Sequence, residues 1–183
     1  GRQAWFYGIH NDTVFRYRVW DGTGPFDQAS SWTAEQLRGT GQGAYSYPKP
    51  FLFSGDSSGK LWTFWRRWTD GSGTTRSLAY RTCAGITGSS DTWSAYTDVL
   101  IESGARPYIM ARHDGVNTLH VIASSAHPNE ASFITLHHFK GVLDGAGAMI
   151  WYDSAGASLT TPFGISAISR IDDGGNLKRW ISD

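Results

Sequence analysis

Apolar and polar positions alternate along much of this chain with a period of two. In residues 14–20 (VFRYRVW), Phe15, Tyr17 and Val19 alternate with Arg16 and Arg18. That is the pattern of a strand with one buried and one wet face. Residues 3–10 (QAWFYGIH) precede it, separated by Asn11-Asp12. This turn pair tolerates positive φ, so the two runs read as a hairpin. Residues 51–53 and 61–65 flank a second turn, Ser54-Gly55-Asp56-Ser57-Ser58-Gly59, and residues 108–112 and 118–123 flank a third, His113-Asp114-Gly115-Val116-Asn117. Residues 133–139 and 149–152 add further strands. Only residues 33–38 (TAEQLR) lean towards a helix, and one that short is marginal alone.

The strand signals repeat. Phe15-Arg16-Tyr17-Arg18 matches Leu78-Ala79-Tyr80-Arg81 at an offset of 63, Ser31-Trp32 matches Thr92-Trp93 at 61, and Tyr47-Pro48 matches Arg106-Pro107 at 59. Gly59-Lys60-Leu61-Trp62 matches Val116-Asn117-Thr118-Leu119 at 57, and a third copy opens with residues 133–139 (FITLHHF). The offset drifts as loops change length, but the order of features holds. A repeat of about 60 residues with about four strands is the size of one propeller blade with long loops. The expectation is therefore an all-β chain: a β-propeller of about three blades, each a four-stranded antiparallel repeat, over residues 1–68, 69–128 and 129–183. Propellers close with four to eight blades. The chain is then a partial ring or fragment, or copies associate as a homo-oligomer to complete the circle. A β-sandwich or jelly roll is the competing reading.

Composition agrees with strands. Nine Trp, eight Tyr and nine Phe suit pleated, half-buried surfaces, and 22 Gly suit many tight turns. Lys plus Arg is 16 and Asp plus Glu is 16, so no net charge draws the chain to nucleic acid or to an anionic membrane. Cys83 is the single cysteine, which removes the disulfide-framework class. No apolar run approaches the ~18 residues of a membrane span. The N-terminus, Gly1-Arg2-Gln3-Ala4-Trp5, is not a signal peptide. It starts almost directly in a strand, as a chain cut from something longer would, and the full-length protein is expected to be secreted.

At Tyr45-Ser46-Tyr47-Pro48, Arg106-Pro107-Tyr108 and Ala126-His127-Pro128 the chain resembles the BNR-repeat propeller family, which includes sialidase-like domains and some ulvan lyases. The resemblance runs over residues 14–164, with its core at 45–66 and 106–128. Ser89-Ser90-Asp91-Thr92-Trp93 looks like a shortened Asp box, the turn between outer strands of such blades. The resemblance implies about seven blades, a polar cavity on the axis and a carbohydrate ligand. It also implies, for lyase members, a Tyr or His that removes the proton beside a uronate carboxylate and an Arg that neutralises that carboxylate.

Inner segments of successive units begin near Tyr45 and Arg106 and end near Arg66 and His127, so these residues are expected to share one cavity. Arg106 precedes a proline and is held extended. A guanidinium grips a carboxylate or sulfate through two parallel bonds; the plainer reading is an arginine stacked at the blade rim. His127 has the chemistry of a general acid or base, or it ties down a loop. Tyr45, Tyr47 and Tyr108 stack on sugars, act as base, or pack blade against blade. Of the adjacent Arg66 and Arg67, one is expected to meet an anionic ligand and the other to face solvent. The proposed catalytic set is His127, Tyr108 and Tyr47; the substrate-binding set is Arg106, Arg66 and Tyr45. His137 and His138 point to opposite faces of a strand and do not share a metal. Asp56-Ser57-Ser58-Gly59 and Asp172-Asp173-Gly174-Gly175 hint at calcium loops, but hairpin turns explain both. No cofactor fingerprint is present. The function expected is a carbohydrate-active propeller, lyase- or glycosidase-like, acting on an acidic polysaccharide. The alternative is a non-catalytic glycan-binding or scaffold module.

Overall fold

The structure, a computed structural model, describes residues 3–7, 14–38, 45–69, 75–89, 91–127, 131 and 133–172. Among these residues three antiparallel sheets follow one another in chain order. The first holds β1 (Gln3–Tyr7), β2 (Phe15–Trp20) and β3 (Gln36–Arg38). The second holds β4 (Tyr45–Leu52), β5 (Leu61–Trp68), β6 (Thr75–Cys83) and β7 (Thr97–Ser103). The third holds β8 (Ile109–His113), β9 (Thr118–Ser124), β10 (Leu136–Leu143), β11 (Met149–Asp153) and β12 (Ser158–Leu159), and β13 (Arg170–Asp172) pairs with β10. Three sheets form where a sandwich would have two. Among the described residues no helix is long and apolar enough to cross a membrane.

The sequence repeat is visible in the geometry. Trp32 makes an isolated bridge to Trp20 beyond β2, and Trp93 makes the equivalent bridge to Cys83 at the end of β6. The sheets change over between Arg38 and Tyr45 and again between Ser103 and Ile109. Residues 36–38 of the helix-leaning segment are strand β3, with Leu37 opposite Arg16 and Gln36 opposite Tyr17. Pairing with an open edge strand outweighs a helical preference worth less than one stable turn.

Strand β5 (LWTFWRRW) sits at the centre. Its first seven residues are all buried, because the second sheet is covered on both faces. Trp62 and Phe64 pack into the third sheet with Phe51, Leu78, Val121, Phe139 and Trp151. Trp65, from the other face, packs with Tyr17, Val19 and Ala79 towards the first sheet. Each fully buried side chain of this size contributes about 1.5–3 kcal/mol relative to exposure. A strand buried on both faces reads as an unbroken hydrophobic run, and in β5 that run carries Arg66 and Arg67 inside with it.

Polar turns fix the ends. Asp56 accepts from the Ser58 backbone N–H at 3.0 Å, from Trp62 Nε1 at 3.0 Å and from the Ser58 hydroxyl. Its carboxylate is thus spent on the β4–β5 turn. Asp173, Gly174 and Gly175 of the other calcium-like run lie outside the described residues. Asp91 accepts from Thr87 N and Tyr17 Oη, each at 2.6 Å, and from Gly88 N at 2.9 Å. Burial pushes the Asp91 carboxyl up, but the bonds from Thr87, Tyr17 and Gly88 outweigh it and hold the group below its ordinary value. The Tyr17–Asp91 bond ties the first sheet to the second. Phe163, beyond β12, pairs with β7: its N–H donates to Val99 at 3.0 Å and its carbonyl accepts from Ile101 at 2.9 Å. This cover blunts an otherwise open edge strand.

Candidate functional site

The site is built at one end of β4 and β5, where the second sheet meets the third. Register between the two strands shifts between Ser46 and Lys49. Tyr47 lies within that bulge with φ 58°, a left-handed conformation that costs a non-glycine residue about 1–3 kcal/mol and gathers at functional sites. Pro48 follows; its missing N–H is tolerated at a bulge. The distortion brings the Tyr47 ring over Arg66, with 5.2 Å from guanidinium carbon to ring centroid.

Tyr108, from the third sheet, meets the same guanidinium at 4.9 Å. The Tyr47 and Tyr108 rings are 6.4 Å apart, and the His127 ring lies 5.2 Å from that of Tyr108. Local backbone bonding explains the placement. Tyr108 N–H donates to Ser124 Oγ at 2.8 Å, and Ser124 N–H donates to the Tyr108 carbonyl at 2.9 Å. The Ser124 hydroxyl then donates to the Ala126 carbonyl at 3.0 Å. One serine therefore locks Tyr108 to the turn that carries the buried His127.

Arg66 is only 5% exposed, and its Nη1 has no hydrogen-bond partner among the described residues. Burial lowers the Arg66 pKa; Tyr108 and Tyr47 oppose that, and the nearby charge of Arg106 lowers it further. A guanidinium still remains protonated in proteins. A buried donor left unpaired costs about 1–3 kcal/mol or more when charged, so this atom calls for an acceptor. Beside it is a cavity of about 10 Å³ lined by Tyr47, Lys49, Arg66, Tyr108 and Ile109 among others, space for roughly one water. Tyr47, 43% exposed, forms the side of this corner that faces solvent.

Tyr47, Arg66, Tyr108 and His127 are thus brought together, and Arg106 is near enough for its charge to act on Arg66. Tyr45 opens β4 opposite Arg67; its side chain lies outside the described part of the structure, as does Pro128. His137 and His138 separate as alternation requires. His137 bonds to Thr135 Oγ1 at 2.8 Å and the Ile168 carbonyl at 3.1 Å, whereas His138 meets His120 at 3.2 Å on the outer face. Among the described residues no three His, Cys, Asp or Glu gather at one point.

Two features were not foreseen. Arg67 does not face solvent: both arginines are buried, because β5 is covered on either side and alternation chooses only between two interiors. Lys49 also lines the cavity. No alternation rule reaches it from Tyr47, because the bulge between Ser46 and Lys49 breaks the period of two.

Comparison with protein families and with curated proteins gives no match. Solved structures do match. One is an ulvan lyase, described as a new family of polysaccharide lyase (PL25), bound to -[GlcA(1-4)Rha3S]-; it aligns with a TM-score of 0.65 at 14% identity. A second structure of a PL25 ulvan lyase aligns with a TM-score of 0.64, also at 14% identity. In both cases 96% of this chain is covered, and it spans 43% of the other. At that identity the likeness is one of architecture: the chain shares the all-β fold of these structures over 43% of their length.

Proposed function

We propose that the three sheets are consecutive blades of a β-propeller and that the corner around Arg66 acts on an acidic polysaccharide by β-elimination. The observation that carries this reading is a buried guanidinium, unpaired at Nη1, set between two tyrosines with a histidine behind one of them. Face-to-face stacking of sheets through β5 supports the propeller, as does the repeated Trp bridge. A closed ring needs four to eight blades; further sheets or further copies of the chain supply the remainder. A polymeric acidic substrate places the working protein outside the cell.

With the exposed Tyr47 ring swung off the buried guanidinium, Arg66 takes the uronate carboxylate in a two-pronged grip, and Arg106 adds positive charge nearby. Neutralising the carboxylate makes the proton on the adjacent ring carbon easier to remove, by stabilising negative charge that develops there. Tyr108 or His127 accepts that proton. The C–H electron pair becomes the new C=C bond, and the glycosidic oxygen across it leaves, taking a proton from the other member of the pair or from Tyr47. The products are a new chain end and an unsaturated uronate. The ligand seen in the neighbouring lyase, a glucuronate-containing glycan, is of the required class.

The test is ultraviolet absorbance of unsaturated product from ulvan and from other uronate polymers. Activity abolished by Arg66→Ala is the expected result. A complete ring that yields no product from any uronate polymer overturns the lyase reading. Retained glycan binding in that experiment, indifferent to His127→Ala, marks the chain as a non-catalytic glycan-binding module.

A further inference from the structure

Strand β5 carries two adjacent arginines just before its last residue, Trp68, and successive residues of a strand point to opposite faces. Arg66 enters the seam between the second and third sheets. Arg67 enters the seam between the first and second, beneath Tyr96, which packs against the Tyr17 and Trp65 cluster. The second arginine repeats the setting of the first. Its side chain is 3% exposed, its guanidinium carbon lies 4.0 Å from the Tyr96 centroid, and its Nε has no hydrogen-bond partner among the described residues.

Asp98 does not satisfy it. The Nη1–Oδ1 separation is 3.4 Å, against ~2.7–2.9 Å for a charge-assisted bond. The same Oδ1 already accepts from Ser77 Oγ at 2.9 Å, and the Asp98 side chain is 20% exposed. An ion pair built for stability inside a protein closes up, because loose geometry does not repay desolvation. Here one prong is stretched and another is unmade, a fork short of a planar oxyanion.

The geometry points to Arg67 as a second anion subsite. It takes a second carboxylate of the same glycan, so that the ligand straddles the end of β5 with one acid group on each side. Arg67 exchanges its long contact for a two-pronged one, while Asp98 keeps Ser77. This rests on the reading of the chain as a binder of acidic glycans, and it adds that the ligand must carry more than one acid group within reach of the strand end.

Isothermal titration separates the two ideas. The probes are a fully carboxylated uronate tetrasaccharide and the same tetrasaccharide with every second carboxyl reduced to the alcohol. The wild-type chain should prefer the fully acidic probe on the order of tenfold, the scale of one charged hydrogen-bond pair. Arg67→Gln should bring the preference to parity, whereas Arg66→Gln should weaken both probes. Asp98→Asn removes the internal competitor and should widen the preference, with thermal unfolding run alongside to confirm folding. A preference that survives Arg67→Gln, or an Asp98→Asn chain that melts lower with its preference unchanged, makes Arg67 a structural residue and overturns the proposal. So does parity in the wild type. No binding of either probe by the wild type removes the glycan reading itself.

Discussion

The two seams of the molecule solve one packing problem differently. Between the second and third sheets lies a broad apolar cluster, including Trp62, Phe64, Phe139 and Trp151. Between the first and second lies a smaller one, Tyr17, Val19, Trp65 and Ala79, pinned by polar bonds. Tyr17 Oη donates to Asp91 and accepts from Trp93 Nε1 at 3.3 Å. Where area is scarce, directional bonds do more of the holding. Each such bond contributes about 0.5–1.5 kcal/mol net, yet leaving a buried partner unmet costs more. The smaller seam is therefore the more sensitive to chemistry and the larger to volume.

The largest expected effect tests the volume side. Phe64 is fully buried in the broad seam, and Phe64→Ala should cost about 3–5 kcal/mol in chemical denaturation. A loss near 1 kcal/mol would mean that the seam repacks and is not the main store of stability.

Asp91→Ala tests the polar side. It strands Tyr17 Oη and the Thr87 and Gly88 N–H groups, and should cost about 1–3 kcal/mol. The carboxyl pKa is depressed in the folded chain. Its contribution is therefore full above its unfolded value of about 3.9 and lost as pH falls through the lower folded value. The gap in melting temperature between wild type and Asp91→Ala should hold steady above about pH 5 and narrow in acid. A gap that grows on acidification reverses the assignment.

The smallest effect concerns Tyr47. Its left-handed backbone suits glycine, so Tyr47→Gly should be more stable than Tyr47→Ala by about 1 kcal/mol. Equal melting temperatures would remove strain from the account of the site.

Much of this arrangement could be read from the sequence. Alternation in VFRYRVW located β2, and the matched Trp32 and Trp93 turned out to make matched bridges. The order of the repeats pointed to Tyr45, Arg106, Arg66 and His127 as one group; Arg66 and His127 do gather, around Tyr47 and Tyr108, with Arg106 near enough for its charge to reach Arg66. Other features were hidden for physical reasons. Alternation shows that Arg66 and Arg67 part company, but not that both sides of β5 are covered, because cover comes from strands distant in sequence. The bulge at Tyr47 gave no turn signal, since the residue at its positive φ is an aromatic rather than Gly or Asn. The extended state of residues 36–38 came from a neighbour's open edge, which no local preference records.

Among the described residues the two apolar clusters share no buried side chain, so the packing of successive sheets is close to additive. Each sheet leans on its neighbour in the chain, and cohesion is a sum of seam terms, as in stacked-repeat proteins. Such an object is expected to fray from its ends, and the smaller first cluster makes the first sheet the one expected to part before the pair built on β5. The corner holding Arg66 falls within that pair, so a chain that has shed its first sheet should still hold Tyr47, Arg66 and Tyr108 on the strands that bring them together.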